Sequence, residues 1–551
     1  MVRESPVLVV GAGFAGLTAA ALLAWRAIPC LVIDRRIGPN KHPRAHGLGQ
    51  RSMELLRVIP GMEADLCAGA RADIDDSTIM VAEGVTGRVV RTISAPGSFN
   101  WRAWSPAKPC TAGQDRVEPI LLKHARALGA TVEFGVELVE LHQSADGVRA
   151  KLRNVGTGET FDCSTDYVIG ADGAGSGIRN GMGIVMDGLG TLSHAVSILF
   201  RARDLPSVLP TRGFLLCYVQ IDELTGAFVT TDDDRIGQLN VEFDPEQNDP
   251  SEFDRVRCMA LVRAALGTPN LDVEVMDVLP WRMSADVAET MFKGRVFLAG
   301  DAAHIMPPVG GLAGQTAMQD GADLAWKLAM VIRGQAGRGL LDTYDAERRP
   351  VARMTAARLA ANYVERVRPD RKDVPGVPTA MDNLSVALGY RYHSSAIVTD
   401  IDDDLSEVED LRHPTGRPGS RIPHIWFTRD GETLSSLDLL GDAFVVLAAS
   451  GGTSWVDAAR DERPRIGAPL EAYEIGVDFV DRDNVFLSKC GLERGGALLL
   501  RPDGFIAWRS RDMMLDPEAA LHMALVRALC IEKSDNKRAA RRLVDEGLSG
   551  P

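Results

Sequence analysis

Near the start of the chain an unbroken apolar run rich in β-branched residues, Val7-Leu-Val-Val10, is followed by glycines at 11, 13 and 16. Such a run, closed by a glycine turn, predicts a buried strand, and the alanine- and leucine-rich stretch behind it predicts a helix from about Phe14 to Trp25. A second apolar segment, Cys30 to Ile33, predicts another buried strand that ends on Asp34. Leu152 to Ile169 reads as two strand-like segments around a turn at Gly156-Thr157-Gly158. Gln238-Leu-Asn-Val-Glu-Phe243 alternates polar and apolar with the period of a half-buried strand; Ser197 to Arg203 and Phe214 to Gln220 predict two more. Arg295 to Leu298 predicts a buried strand; helices are expected from near Thr316 through Leu328, from Leu341 to Arg366, and from Met381 to Tyr392.

The charged, proline-rich stretch Arg368 to Pro378 marks the approach to a boundary. Beyond it the pattern changes to strand Ala443 to Ala448, helix Trp455 to Asp461, and strands Gly476 to Val480 and Ala497 to Leu500. A turn at Arg501-Pro-Asp-Gly504 then leads into Phe505 to Trp508 as a hairpin. Lys533 to Pro551 reads as a charged, helical or frayed tail.

Length and charge narrow the class. The 551 residues allow three or four domains. A formal charge of −14 without any Lys/Arg block argues against nucleic acid and anionic membranes as partners. Eight scattered cysteines with no C-x-x-C pair argue against disulfide or metal frameworks. Val7 to Trp25 is uncharged and could pass for a signal or membrane segment. Its three glycines, and the second strand ending on Asp34, fit a buried βαβ unit better, and a soluble, cytoplasmic protein is the expectation.

The glycines carry the first chemistry. At G-x-G-x-x-G spacing Gly11 serves the tight turn, Gly13 the close approach of backbone to a pyrophosphate, and Gly16 the packing of helix on strand, with Ala15 beside them. Free N–H groups at the helix start favour phosphate, and Asp34 can accept from ribose hydroxyls. Val168-Ile-Gly-Ala-Asp172-Gly173 places a second small-residue loop at a strand end, which by itself also reads as a glycine turn with an Asx cap. Gly294-Arg-Val-Phe-Leu-Ala-Gly300-Asp301-Ala-Ala-His304 places a third, followed by Pro307-Pro308-Val-Gly310-Gly311. The helix behind that loop offers a positive pole to a carbonyl or oxyanion, which suits a flavin ring gaining charge on reduction.

Together these segments resemble the group A flavoprotein monooxygenases of the para-hydroxybenzoate hydroxylase type, in their branch of aromatic polyketide and phenol hydroxylases. The motifs are Gly11-x-Gly13-x-x-Gly16, Asp172-Gly173, Gly300-Asp301 continuing to Trp326-Lys327, and Tyr344-Asp-Ala-Glu347-Arg348-Arg349-Pro350. The resemblance implies an α/β fold: a Rossmann-like FAD-binding domain (1–75, 105–180, 285–392), an inserted mixed β-sheet substrate domain (76–104, 181–284), and a thioredoxin-like domain (393–535) before a tail (536–551). It implies FAD as cofactor, NADPH or NADH as a visiting co-substrate, and O2 and a small aromatic molecule as substrates, in a monomer or homodimer. It assigns Asp301 to the ribityl chain, Asp34 with Arg35 to the adenosine ribose end, and Arg44 and Gln114 to the phosphate and ribityl region. Asp172 with Arg179 is assigned to both nucleotides, and Pro308, Gly310, Gly311, Leu312 and Ala313 to the flavin ring.

In that chemistry hydride reduces the flavin, oxygen adds at C4a, and the hydroperoxide passes an OH to an electron-rich ring. A fused polycyclic phenol is the expected substrate. Only about 0.1% of an ordinary phenol is ionised at pH 7, so a base would help. His46 is the candidate, standing where related phenol hydroxylases often carry an acid; a capping or surface role is the plainer reading. Leu215, Cys217, Val219 and Trp281 are candidate substrate contacts, each also readable as core. Ala313 and Gln315 stand where the family usually has glycine and asparagine. A flavin epoxidase or halogenase, and a non-catalytic flavin-binding chaperone, are the rival readings.

Overall fold

The computed structural model describes residues 2–70, 74–98, 100–210, 213–371, 374 and 381–531. The expected tail from Lys533 and the proline positions 375 and 378 lie outside the described residues. The chain forms two compact units, one of 1–103, 107–321 and 352–383, the other of 104–106, 322–351 and 384 onward.

The first unit holds two large sheets. In one, strands Val2–Val10, Cys30–Asp34, Thr131–Phe134, Thr160–Gly170 and Val296–Leu298 run parallel. Val7, Leu8 and Val9 are wholly buried, as the unbroken apolar run requires of a strand covered on both faces. Strand register sets where the loops lie: Leu298, Gly170, Val10 and Ile33 stand side by side across the sheet. The segments after them, 299–301, 171–173, 11–13 and Asp34, therefore meet at one edge, the carboxyl end where open α/β sheets bind ligands. The uncharged stretch behind the first strand is helix Phe14–Trp25, and no described helix is long and apolar enough to cross a membrane.

The second sheet is mostly antiparallel, ordered His304–Ile305, Glu274–Ala288, Met186–Arg201, Ile236–Phe243, Leu224–Thr230, Phe214–Ile221, Thr78–Ala82 and Val89–Ser94. One face packs Phe200, Phe214, Phe228 and Leu239 against helix Arg255–Leu266 through Cys258 and Val262. The alternation read in 238–243 is realised here: Leu239 and Val241 enter that core, while Gln238, Asn240 and Glu242 face the opposite side.

In the second unit, Phe444–Ala448 pairs parallel with Leu470–Glu474 and antiparallel with Ala497–Leu500, which pairs with Ile506–Ser510. Helices Thr453–Ile466 and Pro517–Ala528 share one apolar core with this sheet. The strand expected at 476–480 is not formed as such, only Val480–Asp481 being strand, and 470–474 takes the place beside Phe444–Ala448. Leu470–Glu474 lies at the sheet edge, with Glu471 exposed and the buried Glu474 accepting from Gly451 N–H and the Thr453 hydroxyl.

Candidate active site

A single cavity of about 1820 Å³ opens between the carboxyl edge of the parallel sheet and the polar face of the second sheet. Gly11, Gly13, Ala15, Asp34, Arg35, Arg44 and Gln114 stand on its wall. So do Asp172, Gly300, Asp301, Pro308, Gly310, Gly311 and Ala313. Gly16 and Leu312 stand behind it, Gly16 under the first turn and Leu312 with its side chain buried.

The glycine turn is explained by what a side chain would strike. A Cβ on Gly11, at φ +109°, would lie 2.1 Å from the Ala171 carbonyl oxygen, and one on Gly16 would lie 1.9 Å from the Gly11 carbonyl oxygen. A Cβ on Gly13 would meet nothing nearer than Glu118 Oε1 at 3.9 Å. Gly11 and Gly16 are thus demanded by the fold, whereas Gly13 keeps open space on the cavity side at a helix start, as a pyrophosphate needs.

The acids are held differently. Asp34 accepts from Ala12 N–H (2.8 Å), and from the backbone N–H (2.8 Å), Nε (3.1 Å) and Nη2 (2.9 Å) of Arg36. Burial works to raise its carboxyl, but these donors outweigh it and hold the group below its ordinary value. They also fill the roughly four lone-pair positions of the carboxylate, so any further donor would reach Asp34 only by displacing one of them, such as the Arg36 guanidinium. Asp301 opens onto the cavity yet is ringed by protein, and desolvation raises its carboxyl against the pull of His304 and Arg44. Its turn is fixed from behind. Asp320, fully buried, accepts from Gly300 N–H at 3.1 Å and pairs with His304 Nε2 at 2.6 Å.

Asp172 accepts from Ser176 Oγ (2.5 Å) and Ile178 N–H (3.2 Å), so it caps its loop while lining the cavity. Arg179 is buried, donating to the carbonyls of Ala302 (3.0 Å) and Ala174 (2.9 Å). It ties the Asp172 loop to the Asp301 turn. In the helix Ala313–Ile332, Gln315 donates to the Gly311 carbonyl at 2.7 Å and fills the space over Gly49, where a Cβ would lie 2.1 Å from its Oε1.

On the far wall the structure corrects the expected substrate contacts. Leu215 and Trp281 line the cavity, but Cys217 and Val219 are fully buried in the core on the other face of the sheet. Leu216 and Tyr218 face the cavity instead, after an irregularity in pairing between Phe214 and Leu216. Because Phe214 to Val219 is apolar almost throughout, its alternation does not reveal which face is which. Burial raises the Tyr218 phenol, with the Arg366 guanidinium beside it acting the other way, and both line the cavity. His46 Nε2 lies 3.0 Å from Gln238 Oε1; burial lowers its imidazole, against the Gln238 contact and the charges of Asp115 and Asp232.

Comparison with known proteins agrees with this geometry. Residues 4–358 match the FAD binding domain family, and 415–530 match the aromatic-ring hydroxylase C-terminal family. The chain is 40% identical to aklavinone 12-hydroxylase of Streptomyces purpurascens, over 96% of this chain and 99% of that one. It is 38% identical to 4-methyl-5-nitrocatechol 5-monooxygenase of a Burkholderia species, over 96% and 98%. The solved ternary complex of aklavinone-11 hydroxylase with FAD and aklavinone superimposes with a TM-score of 0.92 at 39% identity, covering 96% of this chain and 100% of that one. An open Gly13 cradle at a helix start, beside carboxylates at neighbouring strand ends, fits the FAD named in that complex. The chain belongs to the FAD-dependent aromatic-ring hydroxylases, flavoprotein monooxygenases with the α/β fold built around this cavity.

Proposed function

We propose that this protein hydroxylates a fused-ring phenol, taking hydride from NADPH or NADH and one oxygen atom from O2. The observation that carries the reading is the cavity. At about 1820 Å³ it exceeds the roughly 300–1,000 Å³ of an ordinary small-molecule site, so it has room for a dinucleotide and a large second ligand together. A monocyclic phenol, the class named for the Burkholderia relative, would leave much of that room unfilled.

Bound FAD would supply hydride acceptance and the activation of dioxygen for transfer to the ring. In this reading the Gly13 turn and helix start hold its pyrophosphate, Asp34 and Arg35 its adenosine end, and Arg44, Gln114 and Asp301 its ribityl and phosphate region. The N-terminal end of helix Ala313–Ile332 presents its positive pole to the ring through Gly310 to Ala313. Leu215, Leu216 and Trp281 cover the substrate and keep water from it. Arg366 places a cation where a phenolate would develop, and Tyr218, kept protonated by burial, can share the proton. His46 has Nε2 engaged by Gln238, so we assign it to orienting that amide. In the second unit we read the four-stranded sheet as a thioredoxin-like scaffold. Ser450-Gly451-Gly452 stands at its first strand end, where Glu474 holds the Gly451 N–H and the Thr453 hydroxyl.

The test compares a hydroxyanthraquinone with a nitrocatechol as stimulators of NADPH oxidation by the FAD-loaded protein. Stimulation of at least tenfold by the fused-ring compound and little by the catechol is expected. The reverse order would overturn the polycyclic assignment.

A further inference from the structure

The second sheet carries a polar arrangement that the flavin chemistry leaves unused. Gln238 is 5% exposed and Ser197 3%, yet both line the cavity. Gln238 Nε2 lies 2.7 Å from Ser197 Oγ and 3.4 Å from Asn240 Oδ1, and its Oε1 lies 3.0 Å from His46 Nε2. In this arrangement the carboxamide directs its N–H groups toward Ser197 and Asn240 and its oxygen toward His46 Nε2, which fits a His46 tautomer carrying Nε2–H. Ser197 then accepts through its oxygen, and its own proton meets no acceptor among the described residues. Asn240, with Oδ1 facing Gln238, likewise turns its amide hydrogens outward.

Register puts these two donors together. Ser197 and Asn240 are direct partners across the antiparallel pair, so their Cβ atoms are about 5 Å apart. Their neighbours on the cavity side are small: Ala227 stands opposite Asn240, and Ala195 stands two residues before Ser197. Trp281, opposite Ala195, rises beside them. The surface offers two hydrogen-bond donors among small residues beside a Trp281 wall, which suits a ring bearing an oxygen that accepts.

We infer that Ser197 and Asn240, oriented by Gln238 and through it by His46, form a subsite that binds a ring-conjugated acceptor oxygen of the substrate. This rests on the proposed function and narrows it: the substrate is a phenol whose fused ring carries a carbonyl, as a hydroxyquinone does. A ring with no acceptor oxygen at this place would leave the two donors unpaired and bind more weakly. The four residues position the ring, and none takes part in bond making.

The test measures dissociation constants of two probes, 1-hydroxyanthraquinone and 1-hydroxyanthracene, for the FAD-loaded protein. The two share a ring frame and phenol but differ in the carbonyls. Ser197→Ala is expected to weaken the quinone about fivefold to tenfold, the worth of one such bond, and to leave the hydroxyanthracene within about twofold. Asn240→Ala, on the neighbouring strand, should show the same selectivity. The selective loss should be flat with pH, because a ring carbonyl does not titrate in this range. Equal weakening of both probes, or of neither, overturns it while leaving the proposed function standing. Failure of the unmodified protein to bind either probe instead contradicts the proposed function itself.

Discussion

Gly11 and Gly13 look alike in the sequence but answer to different forces. Gly11 is required by the backbone of a neighbouring loop, Gly13 by an object the fold leaves room for. Gly13→Val should therefore fold normally and lose at least tenfold in FAD affinity by fluorescence titration, whereas Gly11→Val should fail to fold. Full flavin retention by a folded Gly13→Val protein would contradict this division. Residues of this kind were legible because backbone geometry restricts them to glycine, and the acids at strand ends because an apolar run points to them. Tyr218 and Arg366 were not. The strand before Tyr218 is apolar on both faces, one against core and one against cavity, so composition does not separate them. Arg366 is the last residue of a long helix, where a basic residue needs no special explanation.

At the scale of elements, strand register and a few buried polar ties bring the site together. The parallel strands end level, and Asp320, from helix Ala313–Ile332, fixes the third loop through Gly300 and His304. Asp320→Asn keeps an acceptor for Gly300 N–H and should retain FAD within a few-fold. Asp320→Leu leaves two buried donors without an acceptor and should cost about 2–4 kcal/mol in urea denaturation, with weaker flavin binding. Equal behaviour of the two variants would remove Asp320 as the tie. The sequence located this helix but started it near Thr316; it begins at Ala313, because Gly310 and Gly311, both at positive φ, turn the chain directly into it. The half-buried strand 238–243 was legible by its alternation, but the bonding of its polar face depends on Ser197 and His46, far away in sequence.

At the scale of the whole molecule, one sheet carries the strand-end loops on the cavity, another forms the opposite wall, and the second unit holds a buried cluster of charge. There Glu347 accepts from Lys327 (2.7 Å) and Arg501 (2.6 and 2.9 Å), and Arg501 also holds Asp503. Burial raises Glu347, but Arg501 and Lys327 prevail and lower it to about 2. Removing Arg501 takes a guanidinium from two buried carboxylates, and Arg501→Met should lose about 3–5 kcal/mol. Asp323, 2.8 Å from Lys327, is raised by burial from 3.8 to about 6. A raised acid stabilises the fold fully below its ordinary value and loses that contribution as pH rises through about 6. Asp323→Asn, which mimics the protonated form, should therefore raise the melting temperature relative to the unmodified protein above pH 6 and leave it unchanged below pH 4. A gain confined to acid pH would reverse the sign and contradict the assignment. None of this cluster could be paired from sequence, since its members are spread from 323 to 503 and even Lys327 and Glu347, which stand in the family motifs, show nothing there of each other or of Arg501.

Insertion of one atom of dioxygen into a fused-ring phenol within this cavity is tested most directly by turnover of a hydroxyanthraquinone with NADPH under isotope-labelled dioxygen, read by mass spectrometry. A product carrying one labelled oxygen atom, formed in proportion to NADPH consumed, is the expected result. NADPH oxidation that yields only labelled hydrogen peroxide, with the ring unchanged across a series of such phenols, would contradict it.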